Sequence, residues 1–251
     1  MKIFISALLV LAASSLFTSA QVRWVKRYDG PAHNLDYAED IKIDNNKVYV
    51  AGSSWGINTN TDFAVVKYDL SSGSQEWVYR YNSPDSGSDN AQSLVFDNQG
   101  NLYVTGMVHH STSSGVDIFT VSLTPTGGVR WIKEFTGSGN RPDQGLRIMC
   151  DNSRNVYVMG TTTTTSGDFN IIVIKYSELG NLIWQREYLS AQDQLPKDMY
   201  VDKATGEVFV TGYTGNTNPD YLNIHDKLHG FNGLGKALWR QPAGYIKLCR
   251  A

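Results

Sequence analysis

The chain has 251 residues and a formal net charge of −2. This balance lacks the clustered basic face of a nucleic-acid groove and gives no polybasic membrane patch. Charged residues make up 18%, aromatic residues make up 12%, and 23 residues are glycine. This composition is typical of short strands joined by many turns. We expect an all-β protein with no nucleic-acid partner.

The N-terminus resembles an export signal. One Lys precedes the apolar run Ile3–Ala13, and the small residues Thr18 and Ala20 occupy the −3 and −1 positions of a cleavage site. A membrane anchor is the alternative, but the run is shorter than the ~20 residues that span a bilayer. We predict a signal peptide over 1–20 and a secreted mature chain over 21–251, either periplasmic, cell-surface or extracellular, without a transmembrane segment.

An internal repeat is the main signal of the mature chain. Five of the six Trp residues are spaced by 53, 54, 53 and 55 positions. Such a period indicates a repeat architecture. The repeats run approximately over 24–77, 77–131, 131–184 and 184–239, with an irregular tail at 242–251. The five Trp residues are Trp24, Trp77, Trp131, Trp184 and Trp239.

Other landmarks recur in step with the Trp residues. A glycine stands four positions before each later Trp, where it permits a tight turn. These glycines are Gly73, Gly127, Gly180 and Gly235. A Tyr-Val-x-Gly motif, or Phe-Val-x-Gly in the last unit, also recurs. Its copies are Tyr49–Gly52, Tyr103–Gly106, Tyr157–Gly160 and Phe209–Gly212.

Each unit is predicted to hold four short strands, a to d, with the Trp on strand d. The first unit's predicted strands are Glu39–Asp44, Val48–Ser53, Asp62–Tyr68 and Glu76–Tyr81. The second unit's are Gln92–Asp97, Leu102–Met107, Asp117–Leu123 and Arg130–Phe135. Four-stranded units of about 50 residues have the size of propeller blades. We predict a β-propeller of about four four-stranded antiparallel blades.

Residues 62–77 and 168–184 each hold an Asp-Phe pair, then a Val, a Lys-Tyr pair and a Gly-x-x-x-Trp element, and this order resembles the bacterial SBBP repeat. The Gly-x-x-x-Trp element resembles, more distantly, the tryptophan-docking motif of quinoprotein-like and YVTN-like propellers. The resemblance covers residues 22–241 and implies an exported bacterial β-propeller. It implies little about activity, since fold does not determine function.

The number of strands leaves ring closure open. There are five d-type strands but only four sets of strands a to c, so either the Trp24 strand or the Trp239 strand is surplus. The N-terminal strand completes the last blade in a closed ring. In the alternative, the chain is an open arc, a fragment of a longer array or one that needs a partner copy.

Four aspartates recur between strands a and b: Asp44, Asp97, Asp151 and Asp202. We interpret them as Asx-type turn residues. The alternative is a ring of carboxylates binding Ca²⁺, which needs six to eight converging oxygens. One Asp per blade places such oxygens too far apart, so we expect no cofactor and no metal.

Other chemical candidates are interpreted as structural. His109 and His110 are expected in a solvated loop, and His225 with His229 in a strand or loop, where neither pair suits a metal. The aspartates that precede strand c recur in every unit, which favours structure over catalysis. They are Asp62, Asp117, Asp168 and Asp220. Whether Cys150 and Cys249 pair is left open, and no catalytic residues are predicted.

The variable b–c loops are the predicted place for function, because loops on a rigid scaffold commonly bind ligands. They carry the exposed aromatics Trp55 and Tyr213. We expect a non-enzymatic binding or scaffold module whose partner is a protein or a glycan. The alternatives are a quinone-dependent or lyase-type propeller enzyme, and a truncated repeat fragment without independent function.

Overall fold

The computed structural model describes residues 22–110, 115–137, 141–190, 192–215 and 219–226. Throughout these ranges the regular elements are β-strands, which confirms the predicted all-β class. The signal-peptide prediction and the predictions for Gly235, Trp239, His229 and Cys249 lie outside the described residues.

Within the described residues, fifteen strands form four antiparallel sheets, called blades 1 to 4. Blade 1 consists of β1 (Asp36–Asp44), β2 (Lys47–Trp55), β3 (Thr61–Asp69) and β4 (Gln75–Tyr81). Blade 2 consists of β5 (Asn90–Phe96), β6 (Leu102–His110), β7 (Gly115–Leu123) and β8 (Val129–Phe135). Blade 3 consists of β9 (Gln144–Cys150), β10 (Val156–Thr163), β11 (Phe169–Tyr176) and β12 (Leu182–Tyr188). Blade 4, as far as it is described, consists of β13 (Gln194–Val201), β14 (Val208–Thr214) and β15 (Asp220–Asp226).

The b and c strands extend further than the repeat pattern predicted. Backbone pairing continues to Trp55 opposite Thr61 and to His110 opposite Gly115. The prediction that His109 and His110 lie in a solvated loop is therefore wrong, because they are the last two residues of β6 and are only partly exposed. Their sequence is polar, but the ladder hydrogen bonds extend the hairpin beyond the apolar run.

The glycine of the Tyr-Val-x-Gly motif marks a close approach of two strands. Strand a shifts register opposite this glycine in blade 2, between Ala91 and Ser93. A Cβ added to Gly106 would lie 1.9 Å from the carbonyl oxygen of Asn90. Only glycine fits where the irregular strand a crosses so closely over strand b.

The blades pack face to face in chain order. Strand contacts join blade 1 to 2, 2 to 3 and 3 to 4. The a–b turns meet at one end, where Asn98 Nδ2 donates to Asn152 O (3.4 Å) and Asn152 N to Lys203 O (2.8 Å). The b–c loops consequently lie at the other end. Sequential four-stranded meanders stacked in one orientation are the blades of a β-propeller, and this is the fold of the chain.

Candidate functional site at the b–c edge

The b–c edge comprises the ends of strands b, the starts of strands c and the links from strand d to the next strand a. The prediction that Trp55 and Tyr213 are exposed loop residues is wrong, because both lie in strands and are half-buried. On blade 1, Trp55 is the last residue of β2. Its N–H donates to Leu35 O (3.2 Å), and its carbonyl accepts a bond from Arg80 (3.2 Å). Both backbone polar groups of Trp55, its N–H and its carbonyl, are thus hydrogen-bonded.

Arg80 organises this part of blade 1. Its guanidinium forms an ion pair with the buried Asp62 (2.7 Å) and donates to the carbonyl of Ser54 (3.0 Å). The repeated aspartate at the start of strand c is thus a structural residue in this blade. A buried carboxylate needs such charged partners, because they offset the free-energy cost of removing its charge from water.

Blade 2 has a different arrangement at the same register. Glu134 occupies the position of Arg80, and its Oε2 lies 3.2 Å from His110 Nε2. His110 Nε2 also lies 3.9 Å from Oδ2 of the buried Asp117. Tyr81 OH donates to Glu134 Oε1 (3.2 Å), and burial together with this carboxylate raises the pKa of Tyr81 to about 12. The sequence pattern missed this cluster because His110 was placed in a loop.

Buried aspartates fasten the links between blades. Asp89 accepts bonds from the N–H groups of Ser83 (2.6 Å) and His109 (2.9 Å). Asp143 likewise accepts bonds from two backbone N–H groups, including that of Thr163 (3.0 Å). Burial raises the pKa of both carboxyls, against the opposing effect of these N–H donors. Each side chain ties a d–a link to the end of strand b.

We call each such aspartate, which ties a d–a link to the end of strand b, a clamp. The sequence contained a signal for these clamps, but the signal was not used in the prediction. Asp36, Asp89 and Asp143 are spaced by 53 and 54 residues, the same period as the Trp residues. Asp36 accepts the N–H of Gly30 (2.9 Å), as Asp89 accepts that of Ser83. Blade 4 departs from this pattern, because Gln194 stands at the position that Asp36, Asp89 and Asp143 occupy in the other blades.

Tyr213 lies on β14 at the b–c edge of blade 4. The ammonium of Lys197 lies 5.3 Å from the centre of its ring, within cation–π range. Tyr213 pairs across the sheet with Tyr221, which is 95% exposed. Trp55 and Tyr213 therefore share an edge but lie on the first and fourth blades, and no ring contact joins them among the described residues.

The repeated Trp residues contact the next unit along the chain. In three of them the indole N–H donates to a carbonyl in the c–d turn of the next blade, and the ring lies over that turn's glycine. The described donor–acceptor pairs are Trp24 with Leu70 (2.9 Å), Trp77 with Pro125 (3.1 Å) and Trp131 with Glu178 (2.9 Å). The glycines beneath these rings are Gly73, Gly127 and Gly180, all with positive φ. Trp184 packs near Tyr157, whereas its expected glycine lies outside the described residues.

Three of the four recurring turn aspartates, Asp97, Asp151 and Asp202, accept local hydrogen bonds. Asp97 accepts bonds from Gln99 N (2.9 Å), Asn101 N (3.0 Å) and Tyr103 OH (2.9 Å). Burial alone would raise the pKa of Asp97, but these donors outweigh it and lower the pKa. Asp151 has a closely similar set of donors. These are the Asx-type contacts expected for a turn.

Two further observations concern the described residues as a set. Nowhere in them do three or more His, Cys, Asp or Glu side chains gather in a way that could hold a metal ion. These residues also contain no helix with the length and apolar character needed to cross a membrane.

Comparison with known proteins finds solved structures, but no family model, to which the chain is similar. No family model matches it, and a search of curated proteins found no match. A Bacteroides caccae protein of unknown function shares 13% identity over 73% of this chain and 58% of its own, with a TM-score of 0.45.

Two enzymes of known structure are similar at the same level. The polysaccharide lyase Uly1 shares 8% identity over 81% of this chain and 52% of its own (TM-score 0.47). A thermostable family-43 glycoside hydrolase shares 15% identity over 80% of this chain and 74% of its own (TM-score 0.46). The chain thus spans little more than half the length of the B. caccae protein and of Uly1. All three TM-scores are below 0.5, so the assignment to the β-propellers rests on the chain's own sheets.

Proposed function

We propose that the chain is a secreted, non-enzymatic binding or scaffold module that engages a protein or a glycan through its b–c edge. One observation carries the proposal: this edge recurs at the same place on every blade while its side chains differ. Blade 1 presents Trp55, blade 2 presents His110 and blade 4 presents Tyr213. A rigid scaffold with variable edges is suited to recognition.

The contacts described above support this assignment. The repeated aspartates are engaged in turns and clamps, which accounts for their presence without catalysis. Half-exposed aromatic rings offer an apolar face to a partner, and a pyranose ring or an apolar side chain fits such a face. The SBBP-type resemblance of the repeats belongs to the same proposal, as does export to the periplasm, the cell surface or the medium.

The test is binding of the purified chain to a panel of immobilised oligosaccharides, with and without Trp55→Ala. We expect at least a tenfold loss of affinity for the glycan that the unmodified chain binds. Leu179→Ala is the matched control, because this exposed apolar side chain lies in the c–d turn of blade 3, at the opposite end of the blades. Equal loss in the control, or no binding to any glycan or envelope protein, would contradict the proposal.

A second function is favoured by the cluster in blade 2. His110 and Glu134 are within hydrogen-bond distance, and Tyr81 contacts the same carboxylate. Such a group can transfer protons in the cleavage of a polysaccharide, in keeping with a lyase-type enzyme. Release of unsaturated or reducing ends from acidic polysaccharides, abolished by His110→Ala, would establish this function instead.

A further inference from the structure

Blade 1 exposes a face that the other blades bury. Two positions of strand a point toward the preceding blade, and in blade 1 they hold Ile41 and Ile43. These side chains are 58% and 61% exposed. Their register counterparts in blades 2 to 4 pack against the preceding blade. Five of these counterparts are at most 5% exposed: Leu94, Ile148, Cys150, Met199 and Val201.

Blade 4 exposes the opposite face. A tyrosine on strand b points toward the next blade in blades 1 to 3 and is at most 3% exposed. The same position in blade 4 holds Phe209, which is 38% exposed, with Tyr200 beside it at 57%. The Phe209 ring stacks on that of His225 at 4.2 Å between centroids. The three buried tyrosines are Tyr49, Tyr103 and Tyr157.

The N-terminal segment covers only the outer part of the open face on blade 1. Trp24 and Tyr28 pack there against Tyr68, in the manner of an outer strand from a preceding blade. A groove of about 970 Å³ remains between this segment and the sheet, and Ile41 is among the residues that line it. Compared with an internal junction, this face lacks only the contacts that strands a, b and c of a preceding blade would make.

We propose that the exposed face of blade 4 in one copy of this chain docks on the exposed face of blade 1 in a second copy. The two faces are of the same kind as those that meet at all three internal junctions. Within the described residues, no extensive packing joins a strand of blade 1 to a strand of blade 4. Closing one chain on itself would require these three close-packed junctions to change their angle, which packed interiors resist.

A second copy satisfies both faces without altering any internal junction. The contact is heterologous, because a different surface is used on each side. Two copies that meet twice in this way form one ring of eight blades. The arrangement is independent of the proposed ligand at the b–c edge, so either proposal can fail alone.

The test is light scattering of the full chain, purified in its secreted form over a range of concentrations. We expect a two-chain mass for the unmodified protein and for Ile183→Glu, which alters an equally exposed residue on the outer strand β12. Ile41→Glu and Phe209→Glu should each give a one-chain mass with an unchanged circular dichroism spectrum.

Mixing the two single variants provides a second readout. Each carries one intact face, so a mixture of Ile41→Glu and Phe209→Glu forms one native junction and regains a two-chain species. A one-chain mass for the unmodified protein at all concentrations would overturn the proposal. So would a two-chain mass that survives both substitutions.

Discussion

Asp97 shows how a single carboxylate stabilises an a–b turn. Replacing it with Ala leaves the buried Tyr103 hydroxyl and two backbone N–H groups without their acceptor. We expect Asp97→Ala to lower the free energy of unfolding at pH 7 by about 3 kcal/mol, since each buried unsatisfied group costs about 1–3 kcal/mol. Urea denaturation measures the loss. Gln99→Ala, in the same turn but with an exposed side chain, should cost less than about 0.5 kcal/mol.

The pH dependence of Asp97 has a defined sign. Its pKa is lower in the folded chain than in the unfolded chain, where it is about 3.9. Its ionised form therefore stabilises the fold above that value, and the contribution is lost as the pH falls through the folded pKa. The difference in unfolding free energy between the unmodified chain and Asp97→Ala should shrink below about pH 4. A constant difference from pH 7 to pH 2 would contradict this assignment.

Cys150 should be chemically inert in the folded chain. Its thiol is buried between blades 2 and 3, and burial is the main cause that raises its pKa above the ordinary value. Because the thiolate is the reactive form, we expect alkylation of Cys150 only after unfolding. Peptide mapping after iodoacetamide treatment distinguishes it from Cys249. Modification at the rate of a free thiol in the native protein would show that the junction opens.

At this scale the sequence was informative where a residue's role is local. The turn aspartates bond to atoms two to six positions away, and the pattern around them predicted turns. The clamps formed by Asp89 and Asp143 connect groups that meet only in the folded sheet, so their period was visible but their role was not. His110 was misplaced for the same reason, since cross-strand pairing decides where β6 ends.

Among the structural elements, the Trp and glycine landmarks were both found in the sequence, but their relation was not. Gly127 was assigned to the turn that leads into its own Trp131. Its positive φ agrees with that turn, yet the ring above it is Trp77 of the preceding unit. Spacing alone does not distinguish these partners, because every unit carries both landmarks.

Substituting alanine at two glycines separates backbone strain from this packing. Gly115 has a φ of 79° and no neighbouring atom within 4 Å of an added Cβ, whereas Gly127 has a φ of 87° and would meet the Trp77 ring at 3.0 Å. We expect Gly115→Ala to cost about 1 kcal/mol and Gly127→Ala about 3 kcal/mol of unfolding free energy. Urea denaturation of both variants tests this. Equal costs would mean that the ring adjusts freely.

For the whole molecule, stability should decline toward the ends of the blade series. Units in repeat architectures are stabilised mainly by their neighbours, and an end blade in a single copy has one neighbour instead of two. In Ile41→Glu, we expect amides of β1 and β14 to exchange hydrogen at least tenfold faster than those of β6 and β10. Hydrogen exchange with mass spectrometry measures this. Uniform protection along the chain would contradict it.

The sequence predicted the class and the order of strands throughout the described residues. It did so because each strand's apolar alternation and each turn's chemistry are local. It left ring closure open, since closure depends on the angle between sheets and no local pattern encodes that angle. The exposed Ile41 and Phe209 are apolar like their buried counterparts, so sequence alone does not reveal which faces remain uncovered.

The contact of each Trp with the following unit bears on how such chains change in length. Since Trp24, Trp77 and Trp131 each pack over a glycine of the next blade, duplicating a whole unit of about 54 residues reproduces each donor–acceptor pair and adds one blade. Duplicating part of a unit would place a ring over a turn that has a side chain in its way. Copy number can therefore drift in whole blades while the junction chemistry stays the same.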